Sequence, residues 1–145
     1  PTLVVCGSLH PDARAQISHA AATGALVAER FDPAVLGAML QGTPVILRSP
    51  EAPGPISDRA AADVAAALVQ EAAAVVESGH VGTLVVIGGD TAAALLGDAL
   101  VVVHGSVRPG TALVESLVID VPVITRAGGF GAVDALSELL WESAS

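Results

Sequence analysis

Two glycines followed by an acid and a hydroxyl, Gly88-Gly89-Asp90-Thr91, close the apolar run Leu84-Val85-Val86-Ile87 and precede an alanine- and leucine-rich stretch from Ala92. The residue types suit an anion, phosphate above all. Glycine lets the backbone approach a ligand closely, and Asp90 or Thr91 can cap a helix. A helix opening there presents unpaired N–H groups and a partial positive charge to whatever lies in front of it. The device recurs. Gly7-Ser8 ends the run Thr2-Leu3-Val4-Val5-Cys6, and Arg126-Ala127-Gly128-Gly129-Phe130-Gly131 follows Val121-Pro122-Val123-Ile124-Thr125. One such turn is an ordinary packing corner; three together point to a single ligand-binding edge.

Strands must deliver these corners and helices must receive them. Residues 12–28 read as a helix with Ile17, Ala20 and Ala21 on its buried side, although Ala25-Leu26-Val27-Ala28 fits a second strand better than a helix end. Residues 32–40 fit a short helix with Pro33 in its first turn and Gly42 as its stop. Pro44-Val45-Ile46-Leu47-Arg48 is a strand, and 49–55 a proline-rich surface loop. The clearest helical period covers 57–78, with Ala61, Val64, Ala65, Leu68, Ala72 and Val75 on one face, a Ser57/Asp58 start and Gly79 as its end. A helix over 92–100, a strand at Val101-Val102-Val103-His104, a loop over 105–110, a strand over 121–125 and a helix over 133–141 complete the chain.

The strand runs are continuous in Val, Ile and Leu rather than alternating, which is the pattern of a parallel sheet covered on both faces. Alternation of strands and helices predicts an α/β three-layer sandwich with a mainly parallel sheet of about five to six strands. In such a sheet the turns that follow the strands gather at one edge, where ligands bind.

Composition narrows the partners. The net charge is −9, with six arginines and no lysine. A general affinity for nucleic acid or an anionic membrane needs a basic field, so neither is expected as a partner. Without lysine there is no Walker-type or kinase strand lysine. Apolar runs are short and broken by Gly or Pro, no signal peptide is discernible, and the single cysteine cannot form an internal disulfide, so the expected setting is cytoplasmic. Hydrophobic residues at 52% against 14% charged point to an interface, either with another domain or with another copy in a homo-oligomer.

Other chemistry-bearing residues are scattered. Cys6 has no neighbouring base and reads as a small buried residue; His10, His19, His80 and His104 show no zinc spacing, and no protein-made metal site is expected. His104 and Arg108 flank the approach to Pro109-Gly110 and face either ligand or solvent. Phe130 either stacks on a base or anchors its turn, and Arg126 either holds phosphate or pairs with a carboxylate.

In order and spacing, Val5-Cys6-Gly7-Ser8 with Pro11 shortly after, Gly88-Gly89-Asp90-Thr91, Pro109-Gly110 and Arg126-Ala127-Gly128-Gly129-Phe130-Gly131 resemble the carboxyl-terminal nucleotide-binding domain of the four-carbon acid sugar kinases, over nearly the whole chain. The resemblance implies one domain over 1–145 that binds ATP or ADP, with Mg²⁺ accompanying the nucleotide. The implied nucleotide-binding residues are Gly7, Ser8, Gly88, Gly89, Asp90, Thr91, Pro109, Gly110, Arg126, Gly128, Gly129 and Gly131; no catalytic residue is implied. Asp90 would cap the helix, meet Mg²⁺ through water, or face the ribose. A sugar-binding domain, in the same or another chain, would supply the acceptor pocket, for this sequence has no Asp-Asp-x-Thr-Gly stretch. The implied activity is ATP-dependent phosphorylation of a threonate- or erythronate-like acid, requiring that second domain.

Several positions depart from the family pattern. Cys6 stands where the family commonly has Ser, Asp90 where it has Glu, Arg126 where it has Lys, and Gly129 where it has Asn. Arginine keeps the cation as a planar fork rather than a point charge. The alternative expectation is a non-catalytic α/β module, diverged from such a kinase, that binds a small anion or assembles with partners.

Overall fold

The computed structural model describes residues 2–7, 11–48, 58–87, 101–108, 111–116, 121, 123–126 and 136, with backbone alone for 11, 12, 58–62, 64, 65, 101–108, 111–116 and 126. The described elements are β1 (Thr2–Cys6), α1 (Pro11–Ala22), β2 (Leu26–Ala28), α2 (Pro33–Leu40), β3 (Val45–Arg48), α3 (Asp58–Glu77), β4 (Thr83–Ile87), β5 (Val101–Arg108), β6 (Thr111–Ser116) and β7 (Val123–Arg126).

They form one seven-stranded sheet in the order β2-β3-β1-β4-β7-β6-β5. Pairings β2–β3, β3–β1, β1–β4 and β4–β7 are parallel. Strand β6 runs antiparallel to both β7 and β5. The mainly parallel α/β architecture matches the expectation, with more strands than the five or six foreseen. Residues 105–108, expected in a loop, continue β5, and 111–116 form an additional strand. Register shifts between Val103 and Gly105 and between Ser106 and Arg108 explain the miss. A bulged strand carries Gly and Ser where a sequence pattern reads a turn.

Alternation along the strands sends side chains to two cores, as a three-layer arrangement requires. Leu3, Val5, Val45, Leu47, Leu84, Val86 and Val123 pack with Val35 and Met39 of α2 and Leu68, Ala72 and Val75 of α3. On the other face Val4, Cys6, Ile46, Val85, Ile87 and Ile124 pack with Ala13, Ile17 and Ala20 of α1 and with Leu136. Ala21, expected on the buried side of α1, is exposed, because Ala13, Ile17 and Ala20 define the inward stripe and a residue next to Ala20 turns about 100° away from it. The step from β1 to β2 goes one way along the sheet under α1, and the steps from β2 to β3 and from β3 to β4 go the other way under α2 and α3. Opposite directions with opposite faces is what a single crossover handedness demands.

Helix ends follow local chemistry. Asp32 caps α2, its Oδ1 accepting the Val35 N–H at 3.0 Å, with Pro33 in the first turn. Gly79 adopts φ +81° where α3 stops, a conformation that costs glycine least. The expected helix over 92–100, the 49–55 loop, the Ser57 cap and the 133–141 helix apart from Leu136 lie outside the described residues.

Candidate functional site

The carboxyl ends of the strands lie in one register row. Cys6 pairs with Arg48 on one side and Ile87 on the other; Ile87 pairs with Arg126, Arg126 with Thr111, and Thr111 with Arg108. Three of the anticipated ligand-binding stretches begin on this row. The chain leaves β1 into Gly7, leaves β4 after Ile87 and leaves β7 after Arg126, from adjacent strands about 4.8 Å apart. It also leaves β5 at Arg108 and re-enters β6 at Thr111, beside Arg126.

Topology singles out one point on that rim. From β1 the chain moves to β2 on one flank, whereas from β4 it moves to β5 at the far flank. Neighbouring strands whose connections depart in opposite directions open a crevice outside their carboxyl ends, the usual place for a ligand in an open α/β sheet. The crevice here lies between β1 and β4. Gly7 borders it and donates its N–H to the Ile87 carbonyl at 3.4 Å, extending the β1–β4 ladder by one bond.

Of the expected site residues, Gly7 is described and half-buried, and Arg126 is placed through its backbone. Ser8, Gly88, Gly89, Asp90, Thr91, Pro109, Gly110, Gly128, Gly129 and Gly131 lie outside the described residues, as do His10 and Phe130. Cys6 is buried at the end of β1. His19 lies in the last turn of α1 and His80 beyond α3, so neither is on the rim. Among the described residues no three His, Cys, Asp or Glu gather as a cation site.

Sequence reasoning missed the distribution of positive charge. All six arginines fall on the carboxyl side of the sheet: Arg48, Arg108 and Arg126 end strands in the row, Arg30 follows β2, and Arg14 and Arg59 lie in the opening turns of α1 and α3. In a chain of net charge −9 this puts the backbone of every arginine on the side where oxyanions would sit, together with the acids Asp12, Glu29, Asp32 and Asp58. A signal for it existed. Val45-Ile46-Leu47-Arg48 and Val123-Ile124-Thr125-Arg126 are both apolar runs closed by arginine, although only the second is followed by glycines.

Arg48 also lines a cavity of about 360 Å³ beside β2 and β3, together with Ala28, Glu29, Arg30, Asp32 and Ala34. Its Nε is buried without a hydrogen-bond partner. A buried donor left unmade costs about 1–3 kcal/mol, more when charged, so Arg48 is held in this position at a cost. The wall of this cavity is braced from α3, whose Glu71 Oε2 accepts the Phe31 N–H at 2.8 Å.

The family model described as nucleotide-binding C-terminal domain matches residues 3–136. No curated protein matches the chain. Two crystal structures of a Bordetella bronchiseptica domain of unknown function, each with bound citrate and each a domain-swapped dimer, are similar to it. One is 26% identical with a TM-score of 0.77, covering 99% of this chain and 41% of that one. The other is 29% identical with a TM-score of 0.72, covering 99% and 39%. A Salmonella typhimurium LT2 structure described as a "putative tRNA synthase" shares the fold at 17% identity and a TM-score of 0.69, over 97% of this chain and 40% of that one. The chain spans about two fifths of the length of these solved relatives.

Proposed function

The chain belongs to the family of nucleotide-binding C-terminal domains, and from that premise we propose that it holds ATP for phosphoryl transfer to a hydroxyl of a four-carbon sugar acid. The acceptor is bound by a second, sugar-binding domain, in keeping with the two-fifths share that this chain takes of its solved relatives. The observation that carries the reading is the register row: Cys6, Ile87 and Arg126 end three adjacent parallel strands at one level, so the chain enters its glycine-bearing stretches from a common rim.

In this reading the triphosphate lies along the β1–β4 crevice. The backbone over 88–91 supplies N–H donors, Gly7 lets the nucleotide approach β1 closely because it has no side chain, and Arg126 supplies a charge-assisted fork. Mg²⁺ bound to the nucleotide would neutralise charge on its phosphates, with Asp90 as the candidate to meet it through water. The acceptor hydroxyl oxygen bonds to the γ-phosphorus as the bond to the β,γ-bridging oxygen breaks; ADP departs, and the hydroxyl proton passes to a base. The chain's own task is to hold the donor still and exclude water, which is most of what phosphoryl transfer asks of a protein.

Isothermal titration with ATP and with ADP, each with and without Mg²⁺, tests the binding half. Saturable heat and a thermal upshift are expected; absence of both overturns the reading. The transfer half is tested by assaying the chain joined to a sugar-binding domain with threonate and erythronate, expecting ADP release that depends on the acid.

A second reading, a small-anion or assembly module without catalysis, has one observation in its favour: the Bordetella relative holds citrate and is a domain-swapped dimer. Heat with citrate but none with ADP, from a chain that sediments as a dimer, selects it.

A further inference from the structure

The cavity beside β2 and β3 plays no part in the nucleotide reading. It stands at the same carboxyl rim, with β1 between β3 and β4, so it is one strand removed from the β1–β4 crevice. Its lining pairs two guanidinium groups, Arg30 and Arg48, with two carboxylates, Glu29 and Asp32, and reaches Ala34 in the first turn of α2. Asp32 accepts the Val35 N–H through Oδ1, so Glu29 and the second oxygen of Asp32 are the carboxylate acceptors of the lining. The Arg48 Nε is buried with no acceptor.

These groups ask for a particular chemistry. Two arginine forks call for an oxyanion, and a carboxylate beside them calls for a hydroxyl donor on the same molecule. An anion without O–H, such as sulfate, meets only the first demand and is repelled by the second. A neutral polyol meets only the second. A volume of about 360 Å³ sits at the small end of ligand pockets, which suits a ligand of a few carbons. We infer that the Arg30–Arg48 cavity is a second subsite, distinct from the nucleotide crevice, for a small hydroxylated oxyanion, either a carboxylate or a phosphate monoester. The inference does not depend on nucleotide binding.

The test is a ¹⁵N NMR titration of the chain that follows the Arg48 Nε–Hε signal and the backbone amides of 29–35, with glycerate in one arm, glycerol phosphate in a second and ADP in a third. Saturable shifts at Arg48 and over 29–35 are expected with at least one of the two small anions. Tighter binding of glycerol phosphate assigns the phosphate monoester, and tighter binding of glycerate assigns the carboxylate. Arg48→Gln should weaken that binding about tenfold or more, the usual consequence of losing a charged hydrogen bond, with ADP affinity unchanged. Arg30→Gln, at an exposed position, gives the same result if Arg48→Gln fails to fold. Shifts in neither arm, or wild-type anion affinity in a folded variant, overturns the subsite. ADP binding without anion binding sinks this inference alone, and anion binding without ADP binding sinks the nucleotide reading alone.

Discussion

The Gly7 N–H donates to the Ile87 carbonyl across 3.4 Å, tying the exit of β1 to the exit of β4 at the point where the two connections diverge. A long bond at the mouth of a crevice is easily perturbed by bulk. Gly7→Leu places a branched side chain at that mouth, and calorimetry should show ADP affinity falling by about tenfold, a change of about 1.4 kcal/mol. Circular dichroism should show the fold retained. Undiminished ADP affinity in the variant would move the nucleotide away from β1.

Arg126 shares a register position with Ile87 and Thr111, at the centre of the row. If its guanidinium holds phosphate, Arg126→Gln costs about 1.5–3 kcal/mol of ADP binding, and Arg126→Lys recovers part of it by keeping the charge without the fork. Adenosine, which lacks phosphate, should bind both variants as it binds the parent. Equal loss for adenosine and ADP would assign Arg126 to the base or to the structure of the rim.

Glu71 braces the β2–α2 connection by accepting the Phe31 N–H at 2.8 Å from forty residues away in sequence. Glu71→Ala removes the acceptor for a half-buried donor, and urea unfolding should report a loss of about 1–3 kcal/mol. Amide exchange at Phe31 should quicken by more than exchange in β4. Uniform acceleration through both elements would mean that the bond adds nothing local.

Leu84 is fully buried in the middle of the sheet, whereas Leu40 is 63% exposed at the end of α2. Leu84→Ala should cost about 2–5 kcal/mol, and Leu40→Ala should stay within about 0.5 kcal/mol. Chemical denaturation of the two variants side by side checks the ranking. A large loss at Leu40 would show that this face is covered in solution by another chain or domain.

Much of the frame can be traced to short-range rules. Five apolar runs at 2–6, 26–28, 45–48, 84–87 and 123–125 are strands or strand segments because continuous β-branched and leucine residues suit a sheet buried on both faces. Asp32-Pro33 starts α2 and Gly79 ends α3 because capping and positive φ are decided within a turn of the chain. The end of β5 and all of β6 were not legible. Their pairing is antiparallel and bulged, and what makes 111–116 and 105–108 strands is the hydrogen bonding that β7 offers to β6 and β6 in turn offers to β5, not their own pattern.

The site divides the same way. The glycine-rich stretches announce themselves locally, since glycine's freedom and a helix start are properties of a few consecutive residues. That β1, β4 and β7 stand side by side, that Cys6, Ile87 and Arg126 share one level, and that arginines distant in sequence sit on the carboxyl side of one sheet came only with the strand order. Sequence fixes which residues can bond within a turn or two; which strand lies beside which is settled by burial of both sheet faces over the whole chain, and the Arg48 cavity exists only because β2 and β3 are neighbours.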